Sequence, residues 1–305
     1  MRFLSRAIFS AMMILSQLGS TAESAAKIRV ITTTTDLKAF TQAVGGDLVE
    51  VDALVRASQN PHDLEVRPSL MIKVRQADLL VMNGLDLDQW ADAVVHGANN
   101  PKVVVGAPGR VDASQGIPVL EAPRTRLDRS MGDVHPYGNP HYTLDPAIVP
   151  TVTANILDGL TRIAPESRPT FERNRQEFLE RLEQAMARWS TALAPLKGAK
   201  VVVDHNMWVY FLTRFGLVQA GSIEERPGIP PTPPHLARLI QIMKAEKVRV
   251  ILTAPWADRK LSERVAQEAG AKTALMAIAV GAVKGTDTYI ETIDYNVRTI
   301  AQALQ

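Results

Sequence analysis

The sequence predicts an α/β protein with two lobes, each built on a mainly parallel four-stranded sheet flanked by helices, and one long rigid helix that joins the lobes. Two observations carry this prediction. Eight short apolar, β-branched runs alternate with segments of helical periodicity, which is typical of parallel sheets covered on both faces. Between the fourth and fifth runs, one long stretch carries an apolar stripe at helical spacing. Four runs fall on each side of that stretch, so we expect two similar halves.

The predicted strands are short and rich in Val, Ile and Leu. In the first half they occupy 28–34, 49–55, 77–84 and 102–107, and in the second half 199–205, 217–224, 248–255 and 273–281. Amphipathic segments such as "RPSLMIKVRQA" and "PPHLARLIQIMKAEK" lie between them. Strands that alternate with helices in this way favour parallel pairing through helical crossovers.

The joining helix is predicted from a single apolar stripe. Its members recur at spacings of three, four and seven: Phe171, Phe178, Leu182, Ala185, Trp189, Leu193 and Leu196. Ser167 suits the N-cap, and Pro169 is tolerated in the first turn. A helix of about thirty residues spans about 45 Å, which is long enough to brace both lobes and restrict hinge motion. We therefore expect a first lobe at 27–163, the helix at 164–196 and a second lobe at 197–305.

The N-terminal segment, 1–26, has the pattern of a secretory signal peptide. Arg2 and Arg6 precede an apolar stretch at 7–18, and small residues with plausible cleavage points after Ala22 or Ala26 follow. The apolar stretch is too short to span a bilayer as a helix. The chain contains no cysteine, so it has neither a disulfide nor an N-terminal lipid attachment site. We expect a soluble periplasmic protein after cleavage.

The charge balance argues against a nucleic-acid partner. The whole chain has 34 basic and 32 acidic residues, and cleavage after Ala22 removes two of the basic ones and leaves 32 of each. The sequence has no clustered basic stripe with interleaved aromatic residues, which would be typical of a nucleic-acid interface.

The tripeptide Asn-Pro-His occurs twice in a chain with only six histidines, and it ends at His62 and at His141. Proline stiffens the approach to each histidine and keeps it out of a helix. His62 and His205 both follow the carboxyl ends of predicted strands, one in each half, where open parallel sheets bind ligands. Three imidazoles that meet in a cleft favour a transition metal, most often zinc.

A fourth ligand is expected, and the residues leave its identity open. Glu224 ends the strand that follows the His205 strand, so it should lie on the same rim, whereas Glu225 should point the other way. Asp287, after the last strand, is a further candidate, and water is the remaining one. We expect metal ligation by His62, His141, His205 and Glu224.

Four segments together resemble the zinc- and manganese-binding solute receptors of bacterial ABC importers. They are "NPHDLEVRPS", "GNPHYTLDP", "VVVDHNMWVYFLTRFGL" and "IEERPGIPPTPPHLARLI", and the resemblance covers essentially the whole mature chain. It implies two α/β lobes joined by one long helix, with the metal held between them by His62, His141 and His205. The chain departs from the family at Ile278, where many members have an aspartate ligand. Zinc members often carry a long loop rich in histidine and acid, but the corresponding 108–138 segment has only His135.

The resulting functional hypothesis is a periplasmic zinc receptor that delivers the ion to the membrane permease of an ABC importer. Neutral imidazoles suit Zn²⁺ better than Mn²⁺, which favours more oxygen ligands, so manganese is the second choice. The chain has no P-loop and is not the ATPase of such a system. We expect a monomer without enzymatic activity. The alternative is a secreted zinc-dependent hydrolase, which would need an open coordination position and a nearby general base.

Overall fold

The structure is a computed structural model, and it describes residues 26–123, 135–226 and 228–305. The first lobe comprises β1 (Ile28–Thr32), α1 (Thr35–Gly45), β2 (Val49–Ala53), α2 (Pro68–Arg75), β3 (Leu79–Met82), α3 (Trp90–Ala98), β4 (Arg110–Asp112) and α4 (Val149–Ile163). Helix α5 (Arg168–Leu193) follows. The second lobe comprises β5 (Lys200–Val203), α6 (Val209–Phe215), β6 (Val218–Ser222), α7 (Pro233–Ala245), β7 (Val250–Thr253), α8 (Arg259–Ala269), β8 (Lys272–Leu275) and α9 (Tyr289–Leu304).

The two sheets have the same topology, which confirms the predicted fold class. Their strand orders are β2-β1-β3-β4 and β6-β5-β7-β8, and every pair is parallel. The first strand of each lobe along the chain, β1 or β5, is an inner strand of its sheet, and its carboxyl end delivers the next residues to one edge of that sheet. This arrangement allows loops from the two lobes to meet.

Helix α5 buries the predicted apolar stripe against both lobes. Phe171, Phe178, Leu182, Ala185, Trp189 and Leu193 are buried, and Leu196 is partly buried beyond the end of the helix. The ring of Phe178 lies 6.3 Å from that of Phe40 in the first lobe, while the indole N–H of Trp189 donates to Asp294 of α9 in the second. One apolar face thus packs on both halves, as the periodicity predicts. Ser167 occupies the N-cap position, but its side chain makes no capping hydrogen bond.

Two strand predictions need correction. The run at 102–107 forms turns, and the fourth strand is β4, which pairs with β3 from Leu80↔Arg110 onward. Gly106 has a φ of 81°, a turn conformation, and Val105 is 77% exposed, so the run does not pair as a strand, although Val103 is buried in the same core cluster as Leu80 of β3. The last predicted strand ends early, at Leu275. Residues 276–281 leave the sheet and run toward the other lobe.

Polar contacts join the lobes close to the strand ends. The backbone N–H of Val280 donates to the buried carboxylate of Asp36 at 2.8 Å. The guanidinium of Arg214 donates to both oxygens of Asp145, at 2.6 and 2.9 Å. These contacts hold the segments that carry the predicted site residues in a fixed relation.

The predicted signal peptide lies outside the described residues as far as position 25, and part of the 108–138 segment, 124–134, does so as well. None of the helices in the described part of the chain combines the length and the hydropathy that a membrane span requires.

Candidate metal centre

The first Asn-Pro-His motif forms a single turn of 3₁₀ helix, Pro61–Asp63, that presents His62. The Asn60 side chain accepts a hydrogen bond from the backbone N–H of His62 at 3.1 Å and so caps the turn. The indole N–H of Trp90 donates to the carbonyl of Pro61 at 2.9 Å. The position of His62 therefore depends on asparagine and on a helix of the same lobe, in addition to the stiffness of proline.

The second Asn-Pro-His motif repeats the asparagine contact, although its 3₁₀ turn, Tyr142–Leu144, begins after His141. The Asn139 side chain accepts from the backbone N–H of His141 at 3.0 Å, and the same Oδ1 lies 2.9 Å from Nδ1 of His141. Asn83 donates to the carbonyl of Pro140 at 3.1 Å. The amide nitrogen of Asn139 donates to the carbonyl of Asn206 in the second lobe at 2.9 Å. Asn139 therefore connects His141 in the first lobe to Asn206, the residue that follows His205 in the second lobe.

His205 lies two residues beyond the end of β5 and is buried. Its backbone N–H donates to the Asp204 carboxylate at 2.7 Å. Its Nδ1 lies 2.7 Å from Oε2 of Glu224, which lies two residues beyond the end of β6. Because β5 and β6 are neighbours in the sheet, their carboxyl ends bring the imidazole and the carboxylate together.

The three predicted histidines converge on one point between the lobes. One ring nitrogen of each lies within 4.8 Å of the others. The Nε2 atoms of His62 and His141 are 3.2 Å apart. Two nitrogens bound to one tetrahedral zinc, each at about 2.0–2.1 Å, are about 3.3 Å apart, so this separation suits a shared ion. In His141 and His205 the Nδ1 atoms contact Asn139 and Glu224, which leaves Nε2 for the metal.

Burial keeps the imidazoles of His62 and His141 neutral. It lowers the pKa of His62 to about 3, with smaller contributions from the charges of His135 and His205. Burial is also the main reason why the pKa of His141 is well below its usual value. A neutral imidazole has a free lone pair for a metal, so protons do not compete for these two nitrogens at neutral pH.

The acids proposed as fourth ligand fall in different places. Glu224 directs Oε2 at Nδ1 of His205, on the opposite side of the ring from Nε2, so its ligation of a metal stays a prediction. Glu225 is turned toward Arg238, at 3.4 Å, as the alternation along the strand predicts. Asp287 is exposed in the loop before α9. Ile278 lines the apolar cavity beside His141.

His135 is the site residue whose position the sequence left open. Its ring centroid lies 4.9 Å from that of His62, with the ring planes at 31°. The sequence signal was its place six residues before His141. Sequence reasoning also missed the two asparagines, Asn60 and Asn139. Each lies two residues before a predicted ligand, and its side chain accepts a hydrogen bond from the backbone N–H of that histidine.

The family comparison assigns nearly the whole chain. Residues 30–303 match the family described as "ZnuA: Zinc-uptake complex component A periplasmic". Zinc-binding lipoprotein AdcA of Streptococcus pneumoniae strain R6 is 25% identical over 281 residues, which are 90% of this chain and 56% of that protein. The chain thus spans little more than half the length of that relative.

Another relative and a solved structure, each matched over most of its own length, also support membership of this family. High-affinity zinc uptake system protein ZnuA of Bacillus subtilis strain 168 is 25% identical over 293 residues, which are 94% of this chain and 90% of that protein. A crystal structure of a zinc-bound ZnuA deletion mutant superimposes with a TM-score of 0.77 at 27% identity and covers 91% of this chain and 98% of that one.

Proposed function

Because the chain belongs to the ZnuA family of periplasmic zinc-uptake components, we propose that it is a receptor that binds one zinc ion between its lobes for import. The proposed ligands include His62, His141 and His205. The permease of an ABC importer is the proposed partner, and the receptor acts as a soluble periplasmic monomer after cleavage of its signal peptide. The segments 27–163, 164–196 and 197–305 are its proposed first lobe, joining helix and second lobe.

The observation that carries this proposal is the convergence of three imidazole nitrogens within 4.8 Å. Imidazole nitrogen suits Zn²⁺, whereas Mn²⁺ favours oxygen-rich shells and binds nitrogen sites more weakly. The 3.2 Å separation between Nε2 of His62 and Nε2 of His141 fits a tetrahedral ion. Zinc is therefore favoured over manganese as cargo.

We propose that Glu224 acts through His205. Its carboxylate accepts the proton of Nδ1, which fixes the tautomer with Nε2 unprotonated and makes that nitrogen a stronger donor. Asn139 performs the same role for His141 through its amide oxygen. Two of the three ligands therefore have their metal-binding atom selected by a neighbouring side chain.

A transport receptor fits the site better than a hydrolase does. A zinc hydrolase needs a general base within reach of a metal-bound water. Of the nearby acids that the structure describes, Glu224 faces the Nδ1 side of His205. Asp204 accepts backbone N–H groups on both oxygens, from His205 at 2.7 Å and from Ala254 at 2.5 Å. We therefore propose that the protein is not an enzyme.

The test is zinc titration against a competing chelator, with metal analysis of the purified protein. We expect one zinc per chain and a large loss of affinity in His62→Ala, His141→Ala and His205→Ala. His96→Ala is the matched control, because His96 is exposed on α3. If two of the three ligand variants bind zinc as the wild type does, the proposed site is wrong.

Transport and location need cellular tests. A strain without this gene should grow poorly under zinc chelation and recover with the wild-type gene, but not with the His205→Ala variant. Cell fractionation with N-terminal sequencing tests the periplasmic location and cleavage after residue 22 or 26. Light scattering tests the monomer.

A further inference from the structure

A fourth histidine lies beside the three converging ones. The ring centroid of His135 is 4.9 Å from that of His62, closer than any pair among His62, His141 and His205, whose centroids are 5.3–5.9 Å apart. His135 precedes His141 by six residues and so enters the site along the same stretch of chain. The group of nitrogens within 4.8 Å of one another does not include it.

The Nε2 atom of His135 is buried and has no hydrogen-bond partner among the described residues. Buried side-chain nitrogens are nearly always partnered, because burying a polar atom without a hydrogen bond is energetically costly. An imidazole nitrogen in this state beside three other imidazoles has a natural partner in a metal ion. A purely structural histidine would be expected to find a carbonyl or carboxylate instead, as His235 does with the carbonyl of Ser222 at 2.9 Å.

The described acids leave the fourth position of a tetrahedral ion open to His135. Glu224 contacts the Nδ1 side of His205, and Asp204 is held by two backbone N–H groups. Ile278 is apolar, and Asp287 is exposed. A donor from the first lobe is therefore better placed than a carboxylate from the second.

We propose that His135 is the fourth ligand and completes a shell of four imidazoles around the transported ion. This inference rests on the proposed function, because it concerns the same ion. Since His135 lies outside the group of three nitrogens, its side chain has to move toward the centre when the ion binds. Four neutral nitrogens leave the full charge of the ion in place, and they select Zn²⁺ strongly against Mn²⁺ and Mg²⁺, which require oxygen donors.

The decisive measurement counts imidazoles in the wild-type protein. X-ray absorption of the Zn²⁺ complex should give four histidine ligands, and the Co²⁺-substituted protein should show the intense visible bands of a tetrahedral ion. In His135→Ala we expect three histidines plus an oxygen and an affinity for Zn²⁺ about 10- to 100-fold lower. His96→Ala, at an exposed position, should leave both spectra and affinity unchanged.

The outcomes separate this inference from the proposed function. If the wild type binds no tight Zn²⁺, or if the His205→Ala variant binds it normally, the proposed function fails. If the wild type binds one Zn²⁺ through three histidines and an oxygen, the inference alone fails, whatever the affinity of His135→Ala. An unchanged Co²⁺ spectrum in His135→Ala overturns it as well. Because the number of histidine ligands is measured in the wild-type protein, misfolding of a variant cannot obscure the result.

Discussion

Zinc binding should survive acidification far better than exposed histidines would allow. An ordinary imidazole has a pKa of about 6.5, so a surface three-histidine site loses its metal as the pH falls through 6. In this site burial lowers the pKa of His62 to about 3 and that of His141 well below the usual value. Protons therefore compete with the metal for these two nitrogens only at much lower pH.

The buried site and an exposed three-histidine site should differ measurably in how much zinc affinity they lose at pH 5. At pH 5 an imidazole with a pKa of about 6.5 is about 97% protonated, which weakens metal binding about 30-fold for each such ligand. An imidazole with the pKa of His62, about 3, is only about 1% protonated at pH 5 and costs almost nothing. We expect the affinity for zinc to change by less than about 100-fold between pH 7.5 and 5, whereas three unperturbed ligands would lose more than about 10,000-fold.

The same shifts have an opposite consequence for the metal-free protein. The folded-state pKa of His62 is below the unfolded value of about 6.5, so the unfolded chain binds protons first as the pH falls. The free energy of unfolding of the apoprotein should therefore decrease from pH 6.5 toward pH 3. Zinc should not remove this dependence, because the unfolded chain still takes up the protons; by holding the imidazoles unprotonated in the folded state it should extend the dependence below pH 3.

Calorimetry in buffers of different ionisation enthalpy measures the protons released when zinc binds at pH 6. Three imidazoles with unperturbed pKa values would release about two protons, since each is about 76% protonated. The buried site should release fewer than about one. His96→Ala should give the wild-type value. Release of two or more protons by the wild-type protein would refute the argument from burial.

Further predictions concern Glu224 and the packing of the lobes. Glu224→Gln should weaken zinc binding about 10- to 100-fold, with Glu225→Gln as an unaffected control; equal affinities by titration would remove Glu224 from the site. Phe178→Ala should lower the free energy of unfolding by about 3–5 kcal/mol in urea, because the ring is buried between helices, and a loss below 1 kcal/mol would contradict that packing. Arg214→Met leaves the Asp145 carboxylate unpaired and should cost about 1–3 kcal/mol after allowance for solvent exposure; an unchanged urea midpoint would show that the pair contributes nothing.

Much of the fold follows from local patterns. Seven of the eight predicted runs overlap a strand, and the stripe from Phe171 to Leu193 is the buried face of α5. The failure at 102–107 is instructive. Its composition is that of a strand, but the chain turns at Gly106, and the shorter Arg110–Asp112 segment takes the edge position beside β3. Composition does not distinguish an apolar run that pairs from one that turns without pairing.

The sequence also predicted some features of the candidate site and not others. The two Asn-Pro-His motifs carry their own local geometry, since Asn60 and Asn139 each bind the backbone N–H of the histidine two residues later. Sequence reasoning found both histidines through proline but missed the asparagine. It placed Glu224 on the correct rim beside His205, yet it had no means of telling a metal ligand from a hydrogen-bond acceptor on Nδ1. That distinction depends on which side of the imidazole ring the carboxylate approaches.

By itself the sequence determined which donors are present, how each is presented by its strand end or turn, and that the two halves are similar α/β units. Only the tertiary structure decided which nitrogens face a common centre, how deeply they are buried and that the ring of His135 lies beside that of His62. The physical reason is the sequence separation between the residues that make contact. A turn such as Pro61–Asp63 is set by contacts between near neighbours, whereas the 3.2 Å approach of His62 to His141 joins residues 79 positions apart. Burial, and with it the lowered pKa of His62, arises only when the two lobes pack around that contact.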